Sequence, residues 1–198
     1  MPVVRSATEA DLPAIGRTLA AAFATDPIWQ WLASPRVDWD RRAGAWFSAE
    51  ARMQLRNHGE VLVDDEVRGA AIWAPPKRWR SSTKQGVALA IPSLRLFGRG
   101  LPRAIRMIEA VEGAHPVDPP HWYLAILGTD PSHQGSGVGS ALIAAVTDRC
   151  DAQGLPAYLE SSKEQNVPFY VRHGFEVQAT MEPAGAPTMW RMWREPQG

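Results

Sequence analysis

The residues whose types and spacing could do chemistry are concentrated in one stretch, Leu127-Gly128-Thr129-Asp130-Pro131-Ser132-His133-Gln134-Gly135-Ser136-Gly137-Val138-Gly139-Ser140. An apolar run leads into a turn rich in glycine, and an apolar-periodic segment follows. Glycine permits left-handed backbone and the close approach of a ligand, and the first N–H groups of a helix have no acceptor within it. A small-residue turn at a helix N-terminus is therefore suited to an anion such as a phosphate. The alternative is a tight turn with no ligand. Two phosphate motifs are excluded by spacing: there is no Gly-Lys-Ser/Thr ending, and Gly135-x-Gly137-x-Gly139 is not Gly-x-Gly-x-x-Gly. Apart from Glu160, no acidic residue ends a following strand as a dinucleotide fold would require. Glu160, His121 and His173 are the candidates for a general base.

Elements must hold these residues in place. The pattern predicts a strand over 121–127, a turn over 128–136 and a helix over 137–153. Val138, Leu142, Ala145, Val146 and Cys150 fall on one face of that helix, and Gly154 stops it. Residues 156–160 read as the next strand, 166–173 as a short helix, and Gly174 onward as a terminal hairpin through Thr188 to Trp193. Upstream, Val3-Val4-Arg5 is an extended start. Leu12, Ile15, Leu19 and Phe23 mark a helix, with Thr8 and Asp11 as its capping signal and its end before Pro27. A second helix spans Arg41 to Asn57, closed by Asn57-His58-Gly59. A hairpin joins Val61-Leu62-Val63 to the run from Val67 to Trp73 through Asp64-Asp65-Glu66, and Pro75-Pro76 ends it.

Gln134-x-x-Gly137-x-Gly139 resembles the Gln/Arg-x-x-Gly-x-Gly/Ala signature of the GCN5-related N-acetyltransferase (GNAT) family, and it stands after a strand and at the mouth of a long helix, as in that family. Tyr158-Leu159-Glu160-Ser161-Ser162 is similar to the family's next strand. Asn166-Val167-Pro168-Phe169-Tyr170-Val171-Arg172-His173-Gly174-Phe175 resembles its Asn-x-x-x-x-Tyr-x-x-x-Gly-Phe helix. Arg5-x-Ala7-Thr8-x-x-Asp11 and Ala22-Phe23-Ala24-x-Asp26-Pro27 also fit. Within the family, His121-Trp122-Tyr123-Leu124 and Leu159-Glu160-Ser161-Ser162 resemble the puromycin acetyltransferase-like branch. The resemblance covers most of residues 1–194, and it is thinnest over 77–120, where acceptor specificity is expected.

The resemblance implies an α/β (mixed α+β) GNAT fold. Its sheet would be mixed and mostly antiparallel, with six to seven strands splayed at the middle and helices flanking it. It implies a single domain over 1–198, with a cofactor-binding core about 121–175 and an acceptor-side segment about 24–120. Acetyl-coenzyme A would be the cofactor. Main-chain N–H groups of Gln134, Gly135, Ser136, Gly137, Val138, Gly139 and Ser140 would receive its pyrophosphate. Leu127, Gly128 and Thr129 would pair with its pantetheine arm as an added strand does, and an N–H near Leu127 would stabilise an oxyanion. An alkylamine of pKa about 10 needs a base, and a thiolate of pKa about 8.5 benefits from an acid. Tyr170 matches the family tyrosine as the acid. Asn166, one helical turn earlier, matches its cofactor-contacting asparagine, the alternative being a helix cap. Glu160 is the favoured base, acting through a water, with an ion pair as the plainer alternative. The expected reaction is direct acetyl transfer to a primary amine of a small molecule. Acetylation of protein N-termini or lysines, and an acyl-CoA-binding regulator without turnover, are the competing readings.

Composition bounds the remaining possibilities. At 198 residues the chain fits one domain, with Lys+Arg and Asp+Glu balanced at 21 each, so net charge gives no reason to expect nucleic acid. Lys77, Arg78, Arg80, Lys84, Arg95, Arg99, Arg103 and Arg106 form a basic stretch free of acidic residues, broken by Pro92 and Pro102. It reads as a solvated helical face, with attraction of an anionic ligand or a nucleic acid as the alternative. The lone Cys150 excludes an internal disulfide, and there is no metal-type cysteine spacing. No signal peptide or run of 18 apolar residues is present, so a cytoplasmic protein without membrane attachment is expected, and a homodimer is compatible with it. Nine tryptophans, six of them (Trp29, Trp31, Trp39, Trp46, Trp73, Trp79) in the first 80 residues, build either a core or an aromatic pocket for the amine.

Overall fold

The computed structural model describes residues 2–33, 38–57, 59–80 and 83–198, with the backbone alone over 83–85. His58, part of the expected stop after the second helix, lies outside the described residues. Seven strands form one sheet: β1 (Val4–Ser6), β2 (Glu60–Asp64), β3 (Gly69–Ala74), β4 (Trp122–Thr129), β5 (Ala157–Ser161), β6 (Glu176–Met181) and β7 (Met189–Arg194). Their order is β1-β2-β3-β4-β5-β7-β6. Only β4 and β5 run parallel; the other pairs are antiparallel. The helices are α1 (Leu12–Phe23), α2 (Pro27–Leu32), α3 (Trp39–Arg56), α4 (Thr83–Phe97), α5 (Leu101–Ala114), α6 (Val138–Gln153) and α7 (Val167–Val171).

Each face of the sheet has its own core. On one face, Leu12, Ile15 and Leu19 of α1, spaced to share a side, pack with Phe47 of α3 and with Val61, Val63 and Ile72. Asp11 holds the entry to α1 by accepting from the Thr8 N–H at 2.7 Å and from Arg5 at 2.8 Å. On the other face, Val138, Leu142, Ile143 and Val146 of α6 cover Trp73, Leu124 and Leu159. The apolar stripe expected of this helix is therefore its buried face. Gly154, at φ 64°, adopts the left-handed conformation that ends it.

Four features depart from the sequence reading or go beyond it. The terminal hairpin does not add outward in order, because β7 lies between β5 and β6. α2, six residues long, is an additional helix, begun by Asp26, whose side chain accepts from the N–H groups of Ile28 and Trp29. Pro92 does not break α4, which runs through it. The helix is held from outside: Leu96 and Phe97 are buried in the core, Trp46 Nε1 donates to Ser93, and Arg42 donates to the Arg95 carbonyl. Pro102 begins α5, where a missing N–H costs nothing. The expected 166–173 helix is shorter, a 3-10 turn over Glu164–Asn166 leading into α7.

The sheet opens at its centre. β4 and β5 pair only at Trp122 with Ala157, Tyr123 with Tyr158 and Leu124 with Leu159. At the same point the β3–β4 register shifts: Ile72 faces Ile126 while Trp73 faces Leu124, leaving Ala125 as the extra residue of a bulge. A bulge bends its strand and interrupts pairing. Beyond it, β4 stays paired with β3 up to Thr129, and β5 stays paired with β7 up to Ser161. The two central strands are thus splayed, each bonded only to its outer neighbour.

Candidate active site

The turn before α6 is open. Residues 131–137 are exposed, and an added Cβ on Gly135 would meet nothing within 4 Å. Gly135 and Gly137 have φ of 79° and 84°, the left-handed region that favours glycine. Gly137 begins α6 without a side-chain cap, so the N–H groups of Val138, Gly139 and Ser140 point out of the helix end toward the turn. Gly139 is small for a packing reason: its Cβ position lies 3.3 Å from Phe169 and 3.4 Å from Thr129 Oγ1. The Val138 side chain is buried, which leaves only its backbone for a ligand. Gln134 reaches back toward the Thr129 carbonyl at 3.5 Å.

Leu127, Gly128 and Thr129 lie on β4 past the bulge, with their inner edge unpaired. Gly128 also has a structural reason to be glycine, since a Cβ would press on Leu19 and Ala22 of α1. Tyr170 projects from α7 and is buried beside Phe169 and Phe175. Burial, then the charge of Asp26, pushes its phenol above its ordinary value, so it stays protonated. Asn166 is exposed and makes no side-chain cap to α7, so the capping alternative does not account for it.

Glu160 lies on the opposite face of β5, in surroundings the sequence did not reveal. Its side chain is only 3% exposed, and among the described residues Oε1 has no hydrogen-bond partner. His115, from the segment after α5, places Nδ1 3.8 Å from that oxygen. The Nε2 atoms of His115 and His121 are 3.0 Å apart, and His121 Nδ1 is 2.8 Å from the Pro119 carbonyl. Trp79 stacks on His115 at 3.8 Å between ring centroids, and Tyr123 and Tyr158 approach it edge-on at 4.7 and 4.8 Å. Burial raises both phenols, and the charge of Glu160 raises them further. Burial, its largest influence, lowers His121 and favours the neutral ring. Arg191 of β7 donates to the Tyr158 hydroxyl at 3.1 Å.

His173, the other histidine weighed as a base, faces α6. Its Nε2 is 3.1 Å from Ser140 Oγ and its ring lies against Phe169, away from Glu160. Cys150 is buried, with its thiol pushed up to about 11 by burial. The tryptophans divide by role. Trp29, Trp39 and Trp46 interlock with Phe47, at 4.8 Å between the Trp29 and Phe47 rings, and Trp73 is fully buried. Trp79 instead lines the histidine cluster. Clefts lie near the ends of β5 among the described residues. One of about 700 Å³ is bordered by Thr25, Pro27, Ser162, Glu164 and Trp190, and one of about 520 Å³ by Pro119, Tyr158, Arg191 and Trp193. Among the described residues, no group of three or more His, Cys, Asp or Glu side chains is arranged to hold a metal ion, and no helix is long and apolar enough to cross a membrane.

With this geometry in place, known proteins supply a frame. The model of the Acetyltransferase (GNAT) family matches residues 26–175. The chain belongs to that family. GNAT proteins use acetyl-coenzyme A, and the seven-stranded, mostly antiparallel sheet flanked by helices is their fold. An uncharacterized N-acetyltransferase of Schizosaccharomyces pombe is 41% identical over 133 residues, or 62% of this chain and 53% of that protein. The chain thus spans about half the length of this curated GNAT relative. A crystal structure of a histone acetyltransferase HPA2 and related acetyltransferase from Corynebacterium glutamicum is 27% identical, covers 100% of this chain and 97% of the other, and has a TM-score of 0.70. An agmatine N-acetyltransferase shares the GNAT fold at 15% identity and a TM-score of 0.66, over 98% of each chain.

Proposed function

We propose that the chain transfers an acetyl group from acetyl-coenzyme A to a primary amine of a small molecule by direct transfer in a ternary complex. The observation that carries this reading is the fork between β4 and β5. It sets an open glycine turn and an unpaired strand edge on one side, and a buried carboxylate on the other.

The cofactor supplies an acetyl group activated as a thioester. Main-chain N–H groups from Gln134 to Ser140 bind its diphosphate, with the positive end of α6 favouring the charge. The free edge of Leu127, Gly128 and Thr129 orients its arm as an added strand, and Asn166 contacts it from the start of α7. Glu160 takes the proton that the amine loses, acting through a water because its own oxygens are buried. Tyr170 gives a proton to the departing sulfur. One C–N bond forms and one C–S bond breaks; the ammonium gives one proton to Glu160 before attack, and the second, lost as the amide forms, replaces the one that Tyr170 gives to sulfur.

Residues 121–175 form the cofactor side and 24–120 the greater part of the acceptor side in this reading. Similarity of His121–Leu124 and Leu159–Ser162 to the puromycin acetyltransferase-like branch supports a small-molecule amine over a protein. Most front-half tryptophans are spent in the core, so an aromatic acceptor rests on Trp79 and on the cleft-lining Trp190 and Trp193.

The test is thiol release from acetyl-coenzyme A across a panel of aminonucleosides, aminoglycosides, polyamines, lysine peptides and peptides with free N-termini. Release with a small amine is expected. Release with peptides alone would place the substrate among proteins, and coenzyme A binding without release from any amine would make the chain a regulator.

A further inference from the structure

The hydrogen bonds around Glu160 show where a proton is missing. The Pro119 carbonyl can only accept, so the His121 Nδ1 that faces it at 2.8 Å carries a hydrogen. A neutral His121 then offers a lone pair at Nε2, and His115 Nε2, at 3.0 Å, must donate to it. A neutral His115 with its hydrogen on Nε2 keeps only a lone pair at Nδ1. That lone pair faces Glu160 Oε1 at 3.8 Å, and an ionised carboxylate is likewise only an acceptor. Two acceptors confront each other across a gap too long for a hydrogen bond, which is why the buried Oε1 has no partner. An unpaired buried acceptor is costly, and a single proton that draws the two groups from 3.8 Å to hydrogen-bond distance satisfies both.

We infer that His115 and Glu160 act as one proton-accepting unit, with His121 and the Pro119 carbonyl fixing the tautomer that leaves its acceptor site open. The inference rests on the reading of Glu160 as the base. The ammonium gives its first proton to the unit before the nitrogen attacks, and His115 Nδ1 and Glu160 Oε1 close from 3.8 Å to share it. The second proton, lost from nitrogen as the C–N bond forms, replaces the one that Tyr170 gives to the sulfur, so the count closes. Trp79, stacked on the imidazole, favours the ring when it carries the extra proton. The other groups facing the unit come from every element around it. They are Tyr123 on β4 and Tyr158 on β5, whose hydroxyls are donors directed at the Glu160 carboxylate, Arg191 of β7 bonded to Tyr158, Arg80 over the Trp79 ring, and Glu112 of α5, whose charge reaches Tyr123. His121 is closed off on its far side by Trp193.

The unmodified chain, with 15N-labelled histidine, decides the tautomers by nuclear magnetic resonance. At mildly alkaline pH, His121 should carry its hydrogen on Nδ1 and His115 on Nε2, and on acidification the added proton should appear on His115 Nδ1. A His115 already protonated at Nδ1 in alkali, or a bare Nδ1 on His121, overturns the inference whatever the activity is. Kinetics with the amine found in the panel provide the second arm. His115→Asn should lower kcat about 100-fold near neutrality with KM for acetyl-coenzyme A unchanged. That deficit should narrow as pH rises toward the amine's own pKa, where solvent supplies free amine. A deficit independent of pH would reduce His115 to packing and overturn the inference. Full turnover in Glu160→Gln would instead strike the underlying reading of Glu160, leaving the tautomer pattern as an observed fact without that role.

Discussion

Ser162, just past the end of β5, donates a short hydrogen bond to Asp26, which caps α2 from 136 residues away in sequence. The bond fastens α2 to the strand that departs at the fork. It also brings a carboxylate close enough to Tyr170 to raise its phenol, second only to burial. Asparagine caps helices as well as aspartate does, so Asp26→Asn should keep α2 while removing the charge. A negative charge disfavours phenolate, and its loss lets Tyr170 ionise at lower pH. If Tyr170 is the acid, the alkaline limb of kcat moves down in pH, while melting shifts by no more than a few degrees. An unmoved limb in a folded variant would remove Tyr170 from the proton path.

Tyr170→Phe tests the same hydroxyl by deletion. The ring stays between Phe169 and Phe175, so packing is kept and one O–H is lost. Turnover should fall at least about 100-fold, with coenzyme A affinity by calorimetry changed less than about threefold. Loss of affinity in proportion to turnover would mean that the tyrosine binds and does not transfer.

Gly137 and Gly154 bracket α6 and make a matched pair. Both have left-handed φ, 84° and 64°, and neither would bring a Cβ into a tight contact. Alanine at either site costs about 1–2 kcal/mol of backbone strain, equivalent to a few degrees of melting for a chain of this size. Only Gly137 lies in the proposed phosphate cradle. Gly137→Ala should therefore weaken coenzyme A binding about tenfold or more, and Gly154→Ala should leave it unchanged. Equal affinities in the two variants would show that the turn does not hold the diphosphate.

The two ends of α6 were readable because each depends on one residue type in one local conformation. The same holds for β2, β3 and α1, whose apolar spacing shows in contiguous sequence. What sequence does not show is arrangement across the chain. Nothing local to Thr188–Trp193 says that β7 slips between β5 and β6, and α2 is too short for its apolar spacing to stand out beyond its Asp26-Pro27 start. The persistence of α4 through Pro92 depends on bonds from Trp46 and Arg42, far upstream. The histidine cluster was missed for the same reason. His121 was weighed singly as a base and His115 was not singled out, and their partner Glu160 lies on another strand. The proline-lined interval between the two histidines was the one local hint of a fixed geometry. Tyr170, Asn166 and the 134–140 turn were legible because their spacing resembles a known family.

Glu50 offers a stability test remote from the fork. It is buried on α3 with one bond, from Gln54 Nε2 at 2.9 Å, and burial raises its carboxyl above the ordinary value despite that bond. A carboxyl raised on folding favours the native state when protonated. Its contribution is fully present below the unfolded value of about 4.3 and is lost as pH rises through the folded value. At neutral pH the carboxyl is therefore less favourable to the fold than in acid. Glu50→Gln keeps the shape and an acceptor oxygen for Gln54 while removing the charge, so it should raise the melting temperature by a few degrees at pH 7. At a pH near 4, where the native residue is already protonated, the two proteins should melt together. A gain of equal size at both pH values would trace to packing, and a loss at pH 7 would mean that the carboxylate has a compensating partner in solution.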